Sequence, residues 1–334
     1  RIRLSNEEGT VPIQLSAASV GLAGEGFVAQ AGSLRALTFA GVAGVAIPPG
    51  TPMLSDPVSL PVKSGSELLV SVALAEPMVN ERRGGAGFAQ AAGNQAMQAT
   101  FDRPTSMKGR PLVTGVSILT ETPPHVIVTL GDSITDGNRE SPGALHGWPE
   151  VLARRLAMRN RGERYTVVNA GIAGNRVLAS GWGAASLGRL DRDVLRIEGI
   201  SHLIVLQGIN DINFSGKSLF GDNPELSAQE LVAGYRQIIA RAHARSVKVY
   251  LGTLTPNPFD PLVSTPEKAA TRDAVNAWIR TSGEPDAVID FEEMVRDPAR
   301  PTQFKADLDS GDHLHPNEKG HQTMGAGIKL SLFP

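Results

Sequence analysis

From His125 onward the chain alternates two kinds of pattern, and this alternation constrains the fold more than any other feature of the sequence. Short apolar runs at 125–130, 165–169, 202–207, 247–253 and 287–290 read as strands, and the stretches between them carry helical spacing. The clearest helix covers 227–245. Ser227 with Glu230 supplies a capping box, and Leu231, Tyr235, Ile238, Ile239 and Ala242 fall on one face. Thr265-Pro266 opens another helix, with proline at the first helical position and Ala274, Val275, Trp278 and Ile279 turned inward. Strand and helix in alternation predict a parallel sheet covered on both faces, a three-layer α/β domain of flavodoxin-like order.

Residues 1 to 122 follow a different pattern. Arg1–Ser5, Ile13–Leu22, Leu34–Phe39, Val42–Ile47, Val58–Val62 and Leu68–Leu74 are short apolar or alternating segments. Turn clusters such as Pro48-Pro49-Gly50-Thr51-Pro52 separate them. This predicts an all-β domain of sandwich or jelly-roll type. Met78 to Arg110, poor in β-branched residues, reads as a long irregular excursion before Val113–Leu119 returns as a strand. Two domains, 1–122 and 123–334, suit a chain of 334 residues.

The rest of the composition excludes more than it assigns. With 41% apolar and 20% charged residues the chain can bury a sizeable core, and a net charge of -2 gives no electrostatic case for nucleic acid or an anionic membrane. Basic clusters such as Arg154-Arg155 read as solvated helix faces. There is no cysteine, which removes disulfides, thiolate catalysis and cysteine-ligated zinc. No apolar run reaches the length of a spanning helix and no signal-peptide pattern opens the chain. Because Arg1 already lies in a strand-like run, a processed leader remains open: secreted or periplasmic if one was removed, cytoplasmic otherwise. The oligomeric state is unassigned.

Chemistry concentrates where the predicted strands end. Gly131-Asp132-Ser133-Ile134-Thr135-Asp136-Gly137 follows the run 126–130, and Asp312-His313-Leu314-His315-Pro316 lies near the C-terminus. A serine hydroxyl needs a base to take its proton, and an imidazole needs a carboxylate to fix its tautomer. Ser133, His315 and Asp312 supply these three groups; His313 is the decoy. Asn169-Ala170-Gly171-Ile172-Ala173-Gly174-Asn175 and Gly208-Ile209-Asn210-Asp211 follow two further strand-like runs. A glycine N–H and an asparagine amide suit an oxyanion, although Gly174 and Asn210 equally suit special turn positions. Asp132, Asp136, Trp148, Asn175 and Asp211 lie beside these blocks and either support the site or pack beneath it. No His-x-x-x-His spacing occurs, and neither a metal nor a cofactor is expected. The α/β-hydrolase elbow Gly-x-Ser-x-Gly is also unmatched, since Thr135 stands in the second glycine's place.

Gly-Asp-Ser, Gly174 within its block, Gly208-x-Asn210-Asp211 and Asp312-x-x-His315, in that order, resemble the SGNH hydrolases, also called the GDSL esterase/lipase family. The resemblance covers roughly residues 125 to 330, with Ile134 where the family's name has leucine. It implies Ser133 as nucleophile, His315 as base and Asp312 as its orienting acid. It further implies an oxyanion hole of the Ser133 N–H, the Gly174 N–H and the Asn210 side chain. The β-rich segment ahead resembles, in layout, two-domain bacterial members, some of them grouped with carbohydrate esterases. An esterase removing short acyl groups, acetyl first, from a carbohydrate or similar alcohol is therefore expected. A broad carboxylesterase or lipid-directed hydrolase is the alternative; a non-catalytic binding module would require a broken triad, and none is visible.

Overall fold

The computed structural model describes residues 1–76, 88–107, 112–137, 147–159, 165–218, 221–257 and 264–334. Contacts divide the chain into two compact units that part between Thr122 and Pro123. The first contains β1 (Ile2–Ser5), β2 (Ile13–Leu22), β3 (Arg35–Ala36), β4 (Val45–Ile47), β5 (Pro52–Leu54), β6 (Leu68–Leu74), β7 (Phe88–Gln90), β8 (Thr105–Met107) and β9 (Val113–Val116). One antiparallel sheet runs β5-β1-β9; another has β2 paired with β3, β4 and β6. Ile2 and Leu4 of the first sheet share one buried cluster with Leu15, Ala18, Val20 and Ile47 of the second. That shared core is the sandwich principle: each sheet hides its apolar face against the other.

Two expectations for this unit change. Val58–Val62 forms no strand, because Pro57 and Pro61 remove ladder donors on both sides of Val58. Within the stretch read as irregular, β7 and β8 pair antiparallel with Phe88 opposite Met107; residues 78–87 and 108–110 of that stretch lie outside the described residues.

The second unit is built on β10 (His125–Gly131), β11 (Tyr165–Gly171), β12 (Ile200–Leu206), β15 (Lys248–Gly252) and β16 (Ala287–Ile289), all parallel, in the order β11-β10-β12-β15-β16. Two small antiparallel pairs lie outside this sheet, β13 (Lys217–Ser218) with β14 (Gly221–Asp222) and β17 (Arg296–Asp297) with β18 (Arg300–Phe304). Counted within the unit, the sheet order is 2-1-3-4-5, the flavodoxin-like order. The chain leaves the end of β10 toward β11 on one side and returns to β12 on the other, so β10 borders the switch point where such sheets bind ligands.

Among the described residues the α-helices are α1 (Ser133–Asp136), α2 (Trp148–Ala157), α3 (Ser186–Leu190), α4 (Ile209–Phe214), α5 (Ala228–His243), α6 (Pro266–Thr281), α7 (Phe291–Val295) and α8 (Glu318–Gly327). Strand residues sort by the two-residue period. Val126, Val128, Leu130, Leu203, Val205, Val249 and Leu251 pack with α5 and α6, while Ile127, Ile204, Tyr250 and Ile289 pack with α2, α7 and α8. The α5 capping box forms as the sequence predicts, worth about 1 kcal/mol for the serine cap, and Thr265 caps α6.

Polar side chains modify two expectations here. Ala274 is exposed, because Lys268, Arg272 and Asn276 take inward positions beside Val275 and Ile279. Asn276 there bonds both the N–H (2.7 Å) and the C=O (2.9 Å) of Leu254. Arg155 is not a solvated charge: its guanidinium donates to Gly325 O at 2.6 Å and Ile328 O at 2.8 Å, which closes the carbonyl end of α8.

Candidate active site

Ser133 is the first residue of α1, directly beyond the end of β10. The turn is tight enough that a Cβ on Gly131 would overlap Thr135 and the Leu206 carbonyl. Asp132 caps the short helix by accepting from Ile134 N at 3.0 Å. Its side chain therefore points into the protein while the next residue's hydroxyl faces outward.

The C-terminal loop brings the other groups to this serine. Ser133 Oγ lies 2.7 Å from His315 Nε2, and His315 Nδ1 lies 2.6 Å from Asp312 Oδ2. The other Asp312 oxygen accepts from Ser310 Oγ (2.8 Å), Leu314 N (3.0 Å) and His315 N (2.8 Å). These bonds fix the carboxylate before it meets the ring. His313 turns away in a left-handed backbone conformation (φ 62°) and bonds Asp309 Oδ2 instead, at 2.6 Å.

Burial lowers the proton affinity of the His315 ring, but the hydrogen bond and charge of Asp312, with Asp132 behind them, outweigh it and the net shift is upward. For Asp312 burial acts in the raising direction, yet the bonds from His315 and Leu314 hold the carboxyl well below the usual range. Asp132 responds in the opposite sense. Burial pushes it up to about 7 against the lowering effect of its Ile134 bond.

Gly174 has φ +72°, and a Cβ there would overlap the Trp182 ring, so no other residue fits without displacement. Asn210 sits in the first turn of α4 and donates from Nδ2 to Asn175 O at 3.2 Å, which joins the second and third blocks. Asp211 accepts from Val177 N at 2.8 Å and Leu178 N at 2.9 Å, so it staples the loop after Gly174 to α4; burial raises its carboxyl to about 6. Asn175 is a hub rather than a surface contact. Its oxygen accepts from Ser186 Oγ, Arg189 Nε and Gln207 Nε2 (3.1, 3.1 and 2.9 Å), and its amide donates to Trp182 O and Ala184 O (3.1 and 2.9 Å). Asp136 is buried in α1, where its N–H donates to Asp132 O at 2.8 Å. Trp148 is fully buried with its ring 5.0 Å from Phe291, so its part is packing.

Sequence reading missed the support beneath these blocks. Arg189, itself buried, donates to Gly131 O (3.2 Å) and Ala170 O (2.7 Å) and thereby joins the ends of β10 and β11 under Ser133. A buried guanidinium among carbonyls satisfies strand-end acceptors that water cannot reach. Its one local sign is Asp193 four residues on, which it bonds at 3.2 Å.

A serine hydroxyl, an imidazole and a carboxylate thus stand in one hydrogen-bonded line at the rim of a flavodoxin-like sheet. Over residues 129–323 the sequence matches the model of the GDSL-like lipase/acylhydrolase family, and the chain belongs to that family. It is thus a hydrolase of the SGNH type. Among curated proteins none matches the chain. Similar solved structures include a GDSL-like lipase from Bacteroides thetaiotaomicron VPI-5482, 18% identical (62% of this chain, 87% of that one, TM-score 0.45). The M. smegmatis aryl esterase is 16% identical (60% and 94%, TM-score 0.47). An acetyl xylan esterase, AlAXEase, is 18% identical (63% and 100%, TM-score 0.47). No helix among the described residues is long and apolar enough to cross a membrane, and no group of three or more His, Cys, Asp or Glu among them is placed to hold a metal ion.

Proposed function

We propose that the protein is a serine esterase working through an acyl-enzyme, with Ser133 as nucleophile, His315 as general base and then acid, and Asp312 orienting the ring. The observation that carries this reading is the continuous line Ser133 Oγ, His315 Nε2, His315 Nδ1, Asp312 Oδ2, with spacings of 2.7 and 2.6 Å. As Ser133 attacks the ester carbonyl, His315 takes its proton and the imidazolium forms against the Asp312 carboxylate. The Ser133 N–H, Gly174 N–H and Asn210 amide receive the oxyanion. His315 then returns the proton to the departing alcohol, and water repeats the sequence to release the acid.

The favoured substrate class is a short acyl ester, acetyl first, of a carbohydrate or related alcohol, with residues 1–122 as an accessory domain to the catalytic 123–334. Support for the sugar side is the layout of a β-rich unit ahead of the hydrolase unit. The test is hydrolysis of p-nitrophenyl acetate by the wild type and Ser133→Ala, followed by acetylated oligosaccharides against longer acyl esters. A loss of about 10⁵-fold or more in kcat with an unchanged melting temperature is expected for Ser133→Ala. Retained turnover in a folded variant removes the nucleophile assignment; preference for long acyl chains favours the lipid-directed alternative.

A further inference from the structure

Of the three tryptophans, Trp148 is fully buried and Trp278 is stacked on Tyr235 under the Arg236 guanidinium, but Trp182 is 41% exposed. Exposure here is not looseness. Gly181 and Gly183 exchange backbone hydrogen bonds on either side of it, at 3.1 and 3.0 Å, and its carbonyl is held by Asn175 Nδ2 at 3.1 Å. The indole lies over Gly174 and meets Phe214 edge to face, with ring centroids 6.1 Å apart. The Arg176 guanidinium stands 5.5 Å from the Phe214 ring centre. An apolar plate on a hydrogen-bonded loop is therefore presented to solvent beside the glycine proposed to bind the oxyanion.

The side of the ester that meets this plate follows from the proton's route. The leaving oxygen must reach His315 Nε2 to be protonated, so the alcohol occupies the His315 side of the tetrahedral carbon and the acyl chain the other. The loop bearing His315 packs through Leu308 and Leu314 on the face covered by α2, α7 and α8. The loop bearing Trp182 packs through Val177 and Leu178 against Gly234 of α5, on the opposite face. We infer that Trp182, backed by Phe214, is the end wall of the acyl side and sets the length of acyl chain the enzyme accepts. On this inference an acetyl methyl stops short of the wall, whereas a longer chain meets the indole, whose loop backbone is held by the Gly181–Gly183 bonds and the Asn175 bond. This inference rests on the assignment of Ser133, His315 and Gly174 above.

The experiment measures kcat/KM for p-nitrophenyl acetate, butyrate and hexanoate, and separately for acetates of several alcohols including an acetylated pyranoside, with the wild type, Trp182→Ala and Trp182→Phe. The wild type should lose at least about tenfold from acetate to hexanoate. Trp182→Ala should reduce or invert that ratio and Trp182→Phe should fall between, with the ranking of alcohols unchanged; a pocket distinguishes chain lengths by about 10- to 200-fold per methylene. A wild type indifferent to acyl length, or a ratio that Trp182→Ala and Trp182→Phe leave unchanged, overturns the inference. A changed ranking of alcohols at a constant acyl ratio also overturns it, since the indole would then contact the alcohol. If Trp182→Ala fails to fold, Trp182→Phe and Phe214→Leu carry the same comparison. Activity that persists in Ser133→Ala removes the parent assignment and this inference together, while Ser133-dependent activity with an unchanged acyl ratio removes the wall alone.

Discussion

Two Asp–His pairs stand side by side on the loop before α8. In one, Asp312 Oδ2 lies 2.6 Å from His315 Nδ1; in the other, Asp309 Oδ2 lies 2.6 Å from His313 Nδ1. Both aspartates raise the proton affinity of their partners. Judged by the pair alone, either could serve a serine. They differ in which partner is shielded. His315 is 34% exposed and its free nitrogen meets Ser133, while His313 is 69% exposed and Asp309 is the shielded member at 12%. Asp309 also accepts from Gly311 N (2.8 Å) and His313 N (3.1 Å), so its pair closes the loop on itself. An activated histidine thus requires more than a carboxylate: the ring must be carried to a nucleophile by a part of the chain far away.

The largest expected effect breaks that comparison most directly. His315→Ala should lower kcat by about 10⁵-fold or more, and His313→Ala by less than about tenfold, in steady-state hydrolysis of a chromogenic acetate. The reverse ranking would assign the base to the other pair. Next in size, Asp312→Asn should cost about 10⁴-fold in kcat by removing the fixed tautomer, with the fold retained. Asp309→Asn should instead act mainly on the melting temperature; equal kinetic losses from both would erase the distinction between them. From the other side of Ser133, Asn210→Ala should lower kcat by about 10²- to 10³-fold with a smaller change in KM. A pure KM effect would make Asn210 a ground-state contact.

Smaller effects appear against pH. As the proposed base, His315 must be neutral to take the proton, and its pKa is raised, so the rate should fall as pH drops through a value above the ordinary 6.5. In the residual activity of Asp312→Asn the acid limb should move to lower pH, because burial then acts unopposed by that charge; His313→Gln should leave the limb in place. The second carboxylate near His315 sharpens the contrast. Asp132 is raised from 3.8 to about 7, so between these values the folded protein holds more protons than the unfolded chain and stability declines as pH rises. Asp132→Asn, which can still accept from Ile134 N, should melt higher than the wild type at pH 8 and lose that advantage near pH 4. An advantage independent of pH would show that the carboxylate is not desolvated as its burial implies.

Much of the fold was legible because the periods are local. The runs at 125–130 and 202–207 mark strands because alternate residues face two helix layers, and Ser227 with Glu230 marks a helix start because its bonds close within four residues. Where polar groups replace apolar ones the reading slipped. Ala274 was expected inside and Lys268, Arg272 and Asn276 are there, because each inward polar residue finds a backbone carbonyl to satisfy it. Val58–Val62 slipped for the converse reason, since apolar side chains cannot supply the donors that Pro57 and Pro61 lack.

By itself the sequence determined the chemical types and their order: a serine after one strand, a glycine and an asparagine after two others, an acid and an imidazole three apart. Only the tertiary structure decided that Arg189 and Asn175 lock the strand ends beneath the serine and that Trp182 covers Gly174. The physical reason is range. Spacing along a chain governs groups that touch within one turn or one strand, whereas Ser133 and His315 are 182 residues apart and meet only because the sheet order and the packing of α8 bring their loops to one rim.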